Sequence, residues 1–297
     1  MLDKGQTISG GQEMLTGVLF KIANAALFTI MSFTMLALSH GYPAEQLMFI
    51  RVAMGAVVAG ILLVIIRPQR PQSLSWKWFS PYVLRSTLSL IAAYCWVKAL
   101  VSIGINEATA IGYTGLLWEV LFAKLWVGER PFKALYAMLG VSLVGMLLIV
   151  RPDAEHLAWK GLIYAMLSTM AWAGYDVICK RQAATEHPLI QVSIVYTIST
   201  LLSAAFAFYS WTPIVPSDYL PFLALGTLGI LNVMALFCAF QRASMLLLLP
   251  LNYLRLIFTL CISYVLYQSH LPWQALIGAL LVLGASSYVF VVTRQQS

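Results

Sequence analysis

Between Leu121 and Val150 the sequence sets two long apolar stretches on either side of a short polar break, Gly128-Glu129-Arg130-Pro131. Gly128 accepts backbone angles that stop a helix, and Pro131 suits the first turn of the next one because its missing N–H has no helical partner there. The segment reads as a membrane hairpin, with Arg130 and Lys133 marking one side of the bilayer. The same alternation of apolar run and polar break recurs along the whole chain. Apolar residues make up 61% of it and charged residues 10%, against roughly 45–50% and about 25% in an ordinary soluble domain. A chain of 297 residues cannot hide that much apolar surface from water, so lipid has to be its solvent. In lipid every backbone polar group needs an internal partner, and runs that are continuous rather than alternating in polarity make the spans helices.

A spanning helix takes about 20 apolar residues. Breaks at Pro, Gly and charge clusters divide the chain into ten such spans, at 14–38, 44–66, 79–103, 105–127, 132–150, 158–181, 188–210, 219–241, 245–267 and 272–293. Residues 1–13 form a cytoplasmic N-terminal segment, and the first run lacks a small-residue cleavage pattern, which makes it a retained helix. The third and fourth spans are separated only by a few residues around Gly104. Counting Lys and Arg in alternate loops gives ten on one side (Lys4, Arg67, Arg70, Lys77, Arg130, Lys133, Lys180, Arg181, Arg242, Arg294) and two on the other (Arg151, Lys160). That asymmetry puts both termini in the cytoplasm, in a multi-pass protein of the inner membrane.

The net charge of +7 is spread singly between apolar runs and never forms the dense basic stripe that nucleic acid requires. Cys95, Cys179, Cys238 and Cys261 lie inside apolar runs without metal spacing and are expected to be free thiols. His40, His156, His187 and His270 do not converge, so no metal site is expected. No phosphate-cradling glycine loop or nucleophile elbow is present, which argues against an enzyme and against a cofactor.

The two halves of the chain repeat. Spans one to five and six to ten match in length and spacing, Gly17-Val-Leu-Phe parallels Gly161-Leu-Ile-Tyr, and a shift of 140 residues brings Tyr113 onto Tyr253. Five helices per half is an odd number, so the halves take opposite orientations, the inverted arrangement that secondary transporters use around a midplane site. The expected fold is an all-α integral membrane protein of ten transmembrane helices in two inverted five-helix repeats, at 14–150 and 158–293.

Two runs of five helices, the hairpin Leu125-Trp-Val-Gly-Glu-Arg-Pro131 and the following Gly140 and Gly145 resemble the EamA-type branch of the drug/metabolite transporter superfamily over nearly the whole chain. The ninth span, Leu249-Pro-Leu-Asn-Tyr-Leu-Arg-Leu-Ile-Phe258, is similar to the Pro-x-x-Tyr-x-Arg pattern of a subgroup that includes bacterial S-adenosylmethionine transporters. The family's usual proline in the fourth helix is absent, with Gly115 and Leu116 in its place, and the second hairpin carries Gln268 and Ser269 where Gly and Glu are usual. These departures leave the fold intact but bear on substrate, because the fourth helix normally helps line the pathway.

Ionisable groups inside spans are costly and face a cavity or one another. At about 1.5 Å per residue, Lys21, Arg85, Glu119 and Asp176 share one layer on the cytoplasmic side, where they form packing charge pairs or an inner gate, with Lys21–Asp176 and Arg85–Glu119 the expected partners. Lys124 and Lys180 are close enough to the surface to snorkel. Arg255 comes near the midplane and needs an anionic partner, either one of the two carboxylates or a substrate carboxylate held by its fork. Lys98 and Glu107 flank the link after the third span and are expected to pair, with Arg51 nearby. Tyr94, Tyr113, Trp118, Trp172, Tyr175 and Tyr253 gather at the same depth, where rings either pack or stack on a planar or cationic ligand. Asn24, Asn232 and Asn252 either join helices or orient a ligand.

Six positive residues against three negative ones within spans favour a ligand bearing a carboxylate. The expected function is a secondary transporter of a small carboxylate-bearing metabolite, S-adenosylmethionine or an amino acid, with riboflavin or a nucleotide-like metabolite as the alternative. A rival from another class is a membrane enzyme or a non-transporting membrane protein. Coupling falls to a proton on Asp176 or Glu119, or to a counter-substrate.

Overall fold

A computed structural model describes residues 4–68, 76–112, 114–131, 158–183 and 187–267, with scattered positions between 133 and 144 and between 277 and 284. The helices are α1 (Lys4–Leu38), α2 (Ala44–Ile66), α3 (Trp76–Gly112), α4 (Gly115–Phe122), α5 (Trp159–Ala183), α6 (Pro188–Tyr209), α7 (Tyr219–Arg242), α8 (Met245–Leu248) and α9 (Leu254–Tyr267). A π-helical turn, Ala123–Val127, extends α4, and a 3-10 turn, Leu249–Tyr253, joins α8 to α9. Among the described residues, seven helical segments are long and apolar enough to cross a membrane. The fifth span expected from sequence lies largely outside the described residues, and the tenth does so almost entirely.

Local chemistry explains where the chain turns. Gly104 sits at φ 82°, ψ 169° inside α3, angles open to glycine, and the helix kinks at the cut drawn between the third and fourth spans. Gly128, at φ 81°, ends the π-helical turn while its N–H donates to the Ala123 carbonyl. His187 caps α6, its Nδ1 accepting from the Leu189 N–H at 3.2 Å ahead of Pro188 at the first helical position.

Packing interleaves the two halves. α3 lies on α5, α1 on α7, and α2 on α6, so the principal helix contacts join the first half of the chain to the second. The perimeter is apolar: Ile65 is 70% exposed and Leu201 72%, while Lys21, Asn24, Arg51 and Arg85 are at most 2% exposed. Such a distribution suits a protein solvated by lipid, with its polar groups turned toward one another. All four cysteines are free thiols.

Each end of the bundle carries a clasp between the halves. At one end the Tyr42 hydroxyl donates to Asp218 Oδ2 at 2.6 Å and accepts from the Val215 N–H at 3.0 Å. Gln46 joins in, donating to the Thr212 carbonyl and accepting from the Thr212 N–H at 2.8 and 2.9 Å. At the opposite end Glu129 accepts from the Met245 and Leu246 N–H groups at 3.0 Å each, capping α8 with a carboxylate from the hairpin. Lys180 there donates to the Phe240 and Ala243 carbonyls at 2.8 and 2.7 Å, closing the C-terminus of α7. Lys180 is thus a capping residue rather than a side chain that snorkels freely to the surface.

Candidate functional site

Where α1, α3, α4, α5, α7 and the α8–α9 segment meet, they leave a cavity of about 70 Å³. Its polar lining includes Asn24, Glu119, Asp176, Asn232, Asn252 and Arg255, and its walls include Phe28, Trp96, Trp172 and Tyr175. Asn24 and Asn232 hold the two halves together reciprocally, each side-chain amide donating to the other's backbone carbonyl at 3.0 and 2.8 Å. That leaves Asn24 Oδ1 facing Arg255, whose Nη2 donates to it at 3.5 Å. The Arg255 guanidinium lies 4.1 Å from the centre of the Phe28 ring, a cation–π contact that supports the fork from one face. Asn252, one helical turn before Arg255, donates to Glu119 Oε2 at 3.4 Å. Phe28 and Trp172 stand edge-on at 6.4 Å, and Trp172 and Tyr175 likewise at 5.3 Å. A guanidinium, two carboxyl groups and an aromatic wall therefore face one small space.

Eight of the residues singled out from sequence line this cavity: Asn24, Glu119, Trp172, Tyr175, Asp176, Asn232, Asn252 and Arg255. Others do not. Arg85 does not reach Glu119, because its guanidinium is held by neutral oxygens instead. Nη1 donates to Gln182 and Gln191 at 3.0 and 2.7 Å, and Nη2 donates to the Tyr175 hydroxyl at 3.0 Å. Lys21 is buried 5.6 Å from the Phe240 ring centre and, among the described residues, lies within 4 Å of no carboxylate, Asp176 included. Among the described residues the one ion pair within 4 Å is Lys98–Glu45 at 3.8 Å, so Lys98 takes a partner from α2 rather than Glu107. Tyr253 is buried outside the cavity lining, and Trp118 packs against Phe122 at 6.2 Å. Tyr94 lines a different crevice, with Glu45 and Phe206. Tyr113 lies outside the described residues.

Sequence reasoning passed over Phe28 and Trp96. An apolar ring in an apolar helix carries no mark of its function, and both emerge only from the packing of α1 and α3 around Arg255 and Trp172. Glu129 was also passed over as a connector, although a carboxylate in a hairpin is a ready cap for any helix that starts beside it.

The family model described as the EamA-like transporter family matches residues 15–151 and again 159–291. The chain belongs to the EamA-like transporter family. It is therefore a multi-pass membrane transporter by family rather than an enzyme, and the paired match reflects a chain built of two EamA repeats. A pseudopaline exporter of Pseudomonas aeruginosa is 23% identical over 82% of this chain and 84% of its own length. A riboflavin transporter of Brucella anthropi is 24% identical over 73% of this chain and 78% of its own. An S-adenosylmethionine uptake transporter of Rickettsia bellii is 22% identical over 70% of this chain and 71% of its own. One solved crystal structure superposes with a TM-score of 0.76 at 18% identity, covering 97% of this chain and 99% of that one, which supports the fold.

Proposed function

We propose that this EamA-like protein carries a small zwitterionic metabolite, S-adenosylmethionine or an amino acid, across the inner membrane by alternating access. The observation that carries the reading is one cavity that holds the Arg255 guanidinium together with the Glu119 and Asp176 carboxyl groups, contributed from both halves of the chain. Arg255 takes the substrate carboxylate through its fork. Glu119 and Asp176 face the amino group or another cationic centre. Phe28, Trp96 and Trp172 receive the apolar or planar part. A cavity of about 70 Å³ is well below the roughly 300–1,000 Å³ of a small-molecule site. Loading therefore needs the halves to part at one clasp while the other holds.

The full architecture proposed is ten helices in two inverted repeats, 14–150 and 158–293, with both termini in the cytoplasm, as charge asymmetry favours. A proton on Asp176 or Glu119, or a counter-substrate, supplies the coupling. Relatives named for riboflavin, with the aromatic wall here, favour a flat ring-bearing ligand as the second reading.

The test is thermal stabilisation of the purified protein by S-adenosylmethionine, amino acids and riboflavin. A ligand at 100 times its dissociation constant adds roughly 2.7 kcal/mol. Stabilisation by a zwitterion that vanishes in Arg255→Ala supports the first reading. Stabilisation by riboflavin alone supports the second.

A further inference from the structure

The most anomalous charge among the described residues lies away from the central cavity. Arg51 of α2 is 2% exposed, about 10 Å along the helix axis from Ala44. Among the described residues its Nε and Nη2 have no hydrogen-bond partner, and it belongs to no ion pair. Arg85 shows how this fold holds a buried guanidinium, with three neutral oxygens on its two Nη atoms. Arg51 has nothing equivalent. A lysine in that position could lose its proton, but arginine cannot, so the charge stays and requires compensation. An uncompensated buried charge is among the most costly features a fold can hold.

Two further buried groups, on the helix packed against α2, are also unsatisfied. The Tyr196 hydroxyl and the Ser199 hydroxyl of α6 are buried, 1% and 0% exposed, and neither has a partner. They lie three residues apart on one helix face. Gly229 of α7 is where Arg51 and Tyr196 come together: a Cβ there would meet the Tyr196 hydroxyl at 3.2 Å and the Arg51 Cγ at 3.5 Å, so the gap in front of the glycine is no wider than a methyl group. One permanent cation and two hydroxyl donors, all buried where α2 packs on α6, are complementary to a small anion. A water molecule would accept the hydrogen bonds but leave the charge uncancelled.

We propose that Arg51, Tyr196 and Ser199 bind a small inorganic anion of the chloride class between α2 and α6. Because α2 lies in the first half of the chain and α6 in the second, the anion joins the halves beside the Tyr42 clasp. It stabilises the state in which that end is closed. The site is separate from the central cavity and does not depend on which metabolite is carried.

The experiment is thermal unfolding of the full-length protein in chloride, bromide or gluconate at constant ionic strength, which removes general screening as a variable. Chloride and bromide should raise the midpoint temperature saturably, whereas gluconate, too large for the enclosed site, should not. Tyr196→Phe and Ser199→Ala should each raise the chloride concentration for half-effect about tenfold, equal to about 1.4 kcal/mol, and Arg51→Gln should abolish the response. Equal unfolding temperatures in chloride and gluconate for the unaltered protein overturn the proposal. A chloride response unchanged in the Tyr196→Phe, Ser199→Ala double variant overturns it too, and these arms decide the matter even where Arg51→Gln does not fold.

Discussion

Arg85 and Arg255 are both arginines in the interior of the bundle, yet the structure uses them differently. Arg85 donates to Gln182, Gln191 and Tyr175 and is 0% exposed, held by neutral groups on α5 and α6. Arg255 lines the cavity, leans on the Phe28 ring and reaches Asn24 with a long 3.5 Å bond. Burial and charge mark both arginines, while their surroundings separate the helix tie at Arg85 from the ligand anchor proposed at Arg255. Short bonds to three neutral oxygens fix a guanidinium. A ring beneath it and a place in the cavity lining set a guanidinium where a carboxylate can meet it.

The largest expected effect tests the anchor. Arg255→Ala should lower transport kcat/KM at least ~100-fold, about 2.7 kcal/mol, with the protein still folded in the membrane. Arg255→Lys should recover only part, since an ammonium lacks the planar fork. Arg85→Met, the converse change, should destabilise the fold by about 1–3 kcal/mol because Gln182, Gln191 and Tyr175 lose their shared donor. Substrate KM in the folded fraction should not move, and a shift in KM would place Arg85 in the pathway. Asn24→Ala removes both a tie between the halves and the oxygen facing Arg255. It should raise KM about tenfold, near 1.4 kcal/mol, with a smaller loss of stability than Arg85→Met.

The smallest effect separates the clasp from both arginines. Tyr42 donates to Asp218, and that hydrogen bond holds its hydroxyl above the ordinary value of 10.0. A raised pKa in the folded state means stability that is present below the unfolded value and is lost as pH rises through the folded one. The unfolding-temperature gap between the unaltered protein and Tyr42→Phe should therefore narrow as the pH is taken above 10.0. A constant gap across that range would mean that the Tyr42–Asp218 bond contributes nothing.

Much of the fold could be read from the sequence because helix breaks are local. Gly104 and Gly128 need backbone angles that other residues resist, and both mark boundaries the apolar runs had already drawn. The site was half legible, for a geometric reason. A rise of about 1.5 Å per residue gives depth along a helix, but the direction in which a side chain points depends on which helices pack together. Tyr94 and Trp96 illustrate the limit: two residues apart on α3, they face roughly opposite sides. Trp96 meets the central cavity and Tyr94 the lateral crevice. Depth alone favoured Tyr94. Charge pairing failed for the same reason, since Glu45 on α2 and Gln182 and Gln191 on α5 and α6 became neighbours of Lys98 and Arg85 only through packing between elements distant in sequence.

The central claim is that one interior arginine anchors substrate while the other ties helices, and counterflow of a radiolabelled zwitterion in proteoliposomes tests it most directly. S-adenosylmethionine and an amino acid should be assayed in parallel with the unaltered protein, Arg255→Ala and Arg85→Met, at matched amounts of folded protein. The account predicts exchange by the unaltered protein and by Arg85→Met with the same KM, and none by Arg255→Ala. Exchange that survives in Arg255→Ala, or a KM that rises in Arg85→Met, would contradict it.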